Sequence, residues 1–439
     1  MSDVFARLRR MSRRNREKRA AKHKNQRRAE QEHAGFDPGL DRELLLESLV
    51  VALSAAASCS ADQVPRRATE VLRECRAFAR ELAVAADLAM NEAIRAAWEH
   101  GWQPSDLHQI ACRQLQPAEV RYLDEAIVLE SRRYATTTLH PDWRADIAEL
   151  EAAIGASTQP PQMWRWGASN AADQCEALTV VLKLLNFLGR LPVLELILPL
   201  PGAHRHTATV VSDAGEKALS KVRALLAKAE ATEFPDEAEA LSAKAQDLMS
   251  RYSLKEALAQ HDRGRKPAAA ARRIWIDNPY AAAKVTLVQV VSRSNRCRAV
   301  WAERLGFVTV IGCETDLNLV ELLTTSLLMQ ANRAMLGAGR DGSAQARSRS
   351  FRQSFLVAYA QRIGERLDSA SASVTAEVKR DGRLLPVLAA NIRATEELTE
   401  RLFPSTVPRS VTVSNGAGWG AGRAAANMAV LDTRDSIAG

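Results

Sequence analysis

Residues 217–254 read KALSKVRALLAKAEATEFPDEAEALSAKAQDLMSRYSL, and their periodicity sets the fold class of the chain around them. Leu219, Val222, Leu225, Leu226 and Ala229 recur at three- and four-residue spacing, which puts one apolar stripe on a helix. Ala238, Leu241, Ala245, Leu248 and Met249 form a second stripe after the turn Ala231–Phe234. Pro235 opens the second helix, because its fixed φ suits a first helical position and its missing N–H has no helical partner there. Asp236, Glu237 and Glu239 load the first turn with negative charge, which complements the helix dipole rather than forming a hydrolytic cluster. Two facing stripes and a tight turn predict an αα-hairpin, and Ser253 with Glu256 has the spacing of a capping box for a third, shorter helix.

On the C-terminal side, a linker at Gln260–Arg272 precedes a change of texture. Arg273–Ile276, Cys297–Ala302 and the β-branched Phe307–Ile311 read as strands, with Val411–Val413 strand-like as well. Helices are expected near Ala281–Val291, Asp316–Met335, Arg349–Ala376 and Leu388–Phe403, with a flexible loop at Leu336–Arg347. On the N-terminal side, helical stripes run from Leu40 to Ile154, with Pro104 and Pro117 at helix starts. A loop at Gly155–Gln162, a helix over Ala171–Leu188 and an irregular or extended stretch over Leu191–Val211 follow. The chain is therefore mainly α with a small C-terminal α+β domain and a central αα-hairpin. Its expected parts are a basic, disordered tail (1–38), a helical domain (39–210), the hairpin (211–262) and the α+β domain (273–439).

Charge is distributed unevenly. The net charge is +8, and residues 1–33 hold twelve Lys/Arg against four acids, which accounts for all of it. The remainder holds 48 of each sign and is neutral, so the basic isoelectric point describes a tail. Arg7, Arg9, Arg10, Arg13, Arg14, Arg16, Lys18, Arg19, Lys22, Lys24, Arg27 and Arg28 can neutralise phosphates and release counterions, giving salt-dependent binding without sequence reading. Only Phe5 is aromatic there, so base stacking is not indicated. A solvated tail that aids solubility and a membrane-surface segment using Phe5, Leu8 and Met11 are the competing readings. Six scattered cysteines without a CxxC spacing fit a reducing, cytoplasmic setting and exclude a disulfide framework or zinc cage. No apolar core follows the basic start, and Lys183, Asn186, Arg190, Pro192 and Glu195 interrupt the most apolar stretch, Leu178–Leu200. Neither a signal peptide nor a membrane span is expected.

The opening segment resembles the domain-of-unknown-function 2786 family. Its three parts are matched by Lys221–Leu226 (KVRALL), Pro235–Ala238 (PDEA) and Ala245–Met249 (AQDLM). Ile276–Tyr280 (IDNPY) and Ser350–Phe355 (SFRQSF) resemble a companion C-terminal region, and Gly101–Leu107 (GWQPSDL) resembles the N-terminal region of longer bacterial members. The resemblance implies an architecture and carries no catalytic residues with it.

Candidate chemistry is sparse. Gly416–Arg423 (GAGWGAGR) sits between a strand-like triplet and a helix. Its glycines read either as a tight turn with close helix packing or as an anion cradle made by Gly418, Gly420, Gly422 and Arg423. A dinucleotide site would need more chain after it, and a P-loop would need Gly-Lys-Ser/Thr. His204 and His206 would share a face on a strand, yet no acidic or Cys ligand has matching spacing, so no metal and no cofactor is expected. Arg347, Arg349 and Arg352 form a basic patch, with Phe351 and Phe355 turned to the core. Trp164 and Trp166 are core anchors or a ligand-facing pair. The expected function is that of a non-enzymatic, nucleic-acid-associated binding protein tethered by its tail. An enzyme acting on a nucleic acid or phosphorylated substrate at the α+β domain, and a helical scaffold, are the alternatives.

Overall fold

The computed structural model describes residues 38–155, 161–170, 172–205, 220–225, 227–228, 235–264, 266–341, 348–378, 384–407 and 413–428. The chain divides into two compact units, Met1–Thr207 and Ala208–Gly439. The expected tail lies outside the described residues.

The first unit is helical: α1 (Pro38–Ala57), α2 (Val64–Glu74), α3 (Ala79–Glu99), α4 (Pro104–Gln114), α5 (Pro117–Ser131), α6 (Pro141–Ile154), α7 (Gln162–Ser169) and α8 (Gln174–Leu188). Prolines open α4, α5 and α6 as their fixed φ favours. Carboxylates three residues on complete two of these starts, with Asp106 accepting from the Gln103 N–H and Glu119 from the Gln116 N–H. Helix α3 is the centre of the unit. Its buried residues include Leu82, Ala86, Ala89, Met90, Ile94 and Trp98, and it packs against α1, α5, α7 and α8. The run of alanines lets those neighbours approach, while Trp98 meets Trp143 edge-on at 5.2 Å between centroids. The Ala171–Leu188 helix starts slightly later than expected, because Asp173 and Glu176 cap it reciprocally.

Residues 189–205 cross the first unit without forming a strand. The Leu194 N–H donates to the His100 carbonyl, and the Trp102 indole N–H donates to the Pro192 carbonyl at 2.8 Å. Gly101, at φ +85, permits this approach, because a side chain there would collide with the Leu194 carbonyl. Among the described residues no helix is long and apolar enough to cross a membrane.

The second unit contains the helical residues 220–225 and 227–228, then α9 (Pro235–Asp262), β1 (Ala270–Trp275), α10 (Ala281–Ser294), β2 (Arg298–Ala302) and β3 (Phe307–Gly312). It continues with α11 (Glu314–Asp341), α12 (Arg349–Val378), α13 (Leu384–Leu402) and α14 (Gly416–Met428). The sheet is antiparallel in the order β1-β3-β2, with Ala270 opposite Gly312 and Arg298 opposite Ile311. Every residue of β3 is buried, which accounts for its unbroken apolar and β-branched sequence. Helix α10 carries the chain from β1 to β2 and leaves the central position for β3, a split βαβ arrangement.

Several expected boundaries move. Strand β1 begins at Ala270, inside the expected linker, because its edge pairs with the whole of β3. Helix α9 runs through Ser253 without a break, so no third helix starts there; no Gly or Pro interrupts Ser253–Glu256, and the Ser253 hydroxyl is used in a tertiary contact. Helix α11 continues to Asp341, so Leu336–Asp341 is helix rather than loop, and residues 342–347 lie outside the described set. Of Val411–Val413 only Val413 is described, and it is in no strand. The glycine-rich run is not a loop before α14 but its first two turns.

Candidate functional site

A largely buried polar cluster of the second unit joins three of its elements. Arg296 lies between α10 and β2 at φ +60, a left-handed conformation uncommon outside glycine. Its Nη2 donates to Asp316 Oδ1, in the first turn of α11, and to Ser253 Oγ on α9, both at 2.6 Å. Ser253 Oγ in turn donates to Asp316 Oδ1 at 2.6 Å. Ser253 and Asp316 are buried. Burial works against the Arg296 charge, but Asp316 beside it outweighs that and holds the guanidinium above its usual value. Cys297 and Cys313 flank the pair. Burial first, then the Asp316 charge, pushes Cys297 well up and Cys313 up to about 11. Both thiols therefore stay protonated at neutral pH, and the guanidinium beside them cannot take up a proton, so the cluster acts as a clamp rather than a nucleophile.

Ser253, Arg296 and Asp316 were not among the sequence candidates. Ser253 read as a cap, and its partners lie 43 and 63 residues away. No local spacing signals them; the one available hint was a helix-interior serine with no turn residue after it.

The glycine-rich segment resolves into helix packing. Gly418 and Gly422, one turn apart on α14, press against the backbone of α12, where a Cβ would overlap the carbonyl oxygens of Phe351 and Phe355. The Gly418 N–H donates to Asn415 Oδ1 at 2.8 Å, and the Asn415 N–H donates to Ser354 Oγ. Gly420 is exposed, and nothing lies near its missing side chain. Arg423 makes a two-pronged ion pair with Glu365 at 2.9 and 3.0 Å. These bonds to Arg423 and to Arg362 hold the Glu365 carboxyl down to about 2.

The remaining candidates are dispersed. Arg9, Arg10, Arg13, Arg14, Arg16, Lys18, Arg19, Lys22, Lys24, Arg27 and Arg28 lie outside the described residues, as do His206 and Arg347. His204 meets His140 edge-on, 5.2 Å between centroids. Among the described residues no group of three His, Cys, Asp or Glu could hold a metal ion. Phe351 and Phe355 do face the core, where they continue into Tyr359 as a stacked ladder. Trp166 is buried and donates to the Ala118 carbonyl, whereas Trp164 is partly exposed. In the first unit a cleft of about 710 Å³ is lined by Ser54, Glu92, His100, Asn186 and Arg190. Asn186 and Arg190 both spend donors on the Cys59 carbonyl inside it.

Residues 217–256, which include Ser253 of the clamp, match the model of a family described as a protein of unknown function, DUF2786. No curated protein and no solved structure matches the chain. The DUF2786 segment thus supplies α9 up to Glu256, and α9 packs against α11, α12, α13 and α14 of its own unit.

Proposed function

We propose that the protein is a nucleic-acid-associated binding protein held to its polyanion by the basic residues of its N-terminal tail. The observation that carries this reading is the confinement of the entire net charge of +8 to residues 1–33. Twelve cations at that density neutralise phosphates and release their counterions. The second unit supports the same division of labour through its committed arginines. Arg272 is bonded to Glu314 and Glu321, Arg298 to Glu396, Arg293 to Asp368 and Arg423 to Glu365. Cations already neutralised in this way contribute little to an external phosphate field.

The test is duplex and single-strand binding against salt, for the full chain and for a chain lacking residues 1–33. The full chain should lose affinity steeply with salt, with a log–log slope of about −0.9 per phosphate neutralised on duplex DNA. Removal of the tail should abolish that dependence. Equal binding by both chains would transfer recognition to the folded units and overturn the reading.

A further inference from the structure

The first unit brings together a cysteine, a histidine and an aspartate that no family match covers. His108 and Cys112 are four residues apart on α4, so they share one face, and Cys112 Sγ lies 3.5 Å from His108 Nε2. Behind the ring, His108 Nδ1 lies 3.0 Å from both carboxylate oxygens of Asp124 on α5. A carboxylate only accepts, so the Nδ1–H donates and the Nε2 lone pair is left facing the thiol. Asp124 is buried and fixed, His108 is partly covered, and Cys112 is exposed. The ordering from buried orienter through imidazole to accessible thiol matches the geometric logic of an activated nucleophile.

We propose that Cys112, His108 and Asp124 form a nucleophilic thiol centre that accepts an activated acyl group, an ester or thioester. Cys112 and His108 are its catalytic residues and Asp124 is a positioning residue. The thiol proton passes to His108 Nε2 as sulfur bonds to the carbonyl carbon. Collapse of the adduct breaks the bond from that carbon to the leaving oxygen or sulfur, which departs with the bonding electrons and can take the proton back from Nε2. Water then attacks the thioester carbon as the same nitrogen takes its proton; the carbon–sulfur bond breaks, the acid is released, and the Cys112 sulfur takes the proton back. Acyl transfer suits this site because the thiol is not ionised at rest. Partial desolvation against the helix, then the Asp124 charge, raises the Cys112 thiol, while the Asp124 bond raises His108. The carboxyl end of α4, where Cys112 sits, also disfavours a resting thiolate through the helix dipole. Glu149 of α6 adds to the same bias on His108, and Arg113 opposes it at Cys112. The nucleophile is thus made during attack, and the proton it releases is stored where a leaving group needs it.

The test uses the full chain with two probes, iodoacetamide and p-nitrophenyl acetate, followed by mass spectrometry of each cysteine peptide. Cys112 should be alkylated first, and p-nitrophenyl acetate should release a burst of nitrophenolate with one acetyl group on Cys112. His108→Gln should slow both by about a hundredfold with the far-UV spectrum unchanged. Asp124→Asn should move the rising limb of the labelling rate to lower pH, a shift that a purely structural contact would not produce. If His108→Gln misfolds, the near-isosteric Asp124→Asn carries the test alone. A Cys112 rate untouched by either variant, or alkylation without acetylation, overturns the proposal.

Discussion

Each unit sets thiols beside an aspartate and a basic group, with opposite consequences. In the helical unit the base is an imidazole, the carboxylate sits behind it, and the thiol reaches solvent. In the mixed unit the base is Arg296, its charge is consumed by Asp316 and Ser253, and the neighbouring Cys297 is enclosed. A guanidinium cannot give up its proton in a protein, so it can pair but cannot relay. Proximity of the same residue types therefore makes a clamp in one unit and a proton path in the other. The deciding variables are solvent access and whether the basic partner titrates.

The largest effect should come from breaking the clamp. Asp316→Ala leaves the half-buried Arg296 and the buried Ser253 hydroxyl without their shared acceptor, and should cost about 3 kcal/mol in denaturant unfolding. Replacing both partners by apolar residues, Arg296→Met with Asp316→Leu, should recover most of that loss. A single variant costing under about 1 kcal/mol would mean that the pair holds nothing together.

Next in size is the glycine contact that the same unit uses instead of a polar one. Gly422→Ala forces a methyl group against the Phe355 carbonyl and should cost about 1–3 kcal/mol. Gly420→Ala is its control: it meets open space inside a helix and should stabilise by up to about 1 kcal/mol. Equal effects at the two positions would remove the argument for close packing of α14 on α12.

The smallest effect concerns carboxylate burial in the helical unit. Asp146 accepts from the Ser105 N–H and hydroxyl, on the helix that bears His108. Burial outweighs those bonds and pushes its carboxyl from 3.8 up to about 6. A raised acid binds its proton more tightly in the folded state, so its contribution is complete below about pH 4 and lost as pH rises through about 6. Asp146→Asn should flatten that part of the thermal-melting profile.

Much of the molecule was legible before folding. Prolines and acidic first turns placed α4, α5 and α9, because a first helical turn needs no N–H from proline and welcomes negative charge. FVTVI announced a strand, and the structure places it at the centre of the sheet with both faces buried. Glycine was the weak letter. Gly416–Gly422 read as a tight turn with close helix packing or as an anion cradle, yet they are helical, and the roughly 1 kcal/mol that each glycine costs a helix is offset when the helix closes on a neighbour's backbone. His108 and Cys112 drew no reading from the sequence, because only Asp124 on the next helix makes them a pair with a direction.

What the sequence determined by itself was local: helical periodicity, element starts, the DUF2786 segment and the placement of all net charge in the tail. Each follows from neighbours within a few residues or from composition, and survives any arrangement of the parts. Only the tertiary structure decided which side chains meet: Ser253 with Asp316, Gly422 with Phe355, and Asp124 with His108. Those contacts span 16 to 67 residues of chain, and their chemistry is set by burial, which no local spacing encodes.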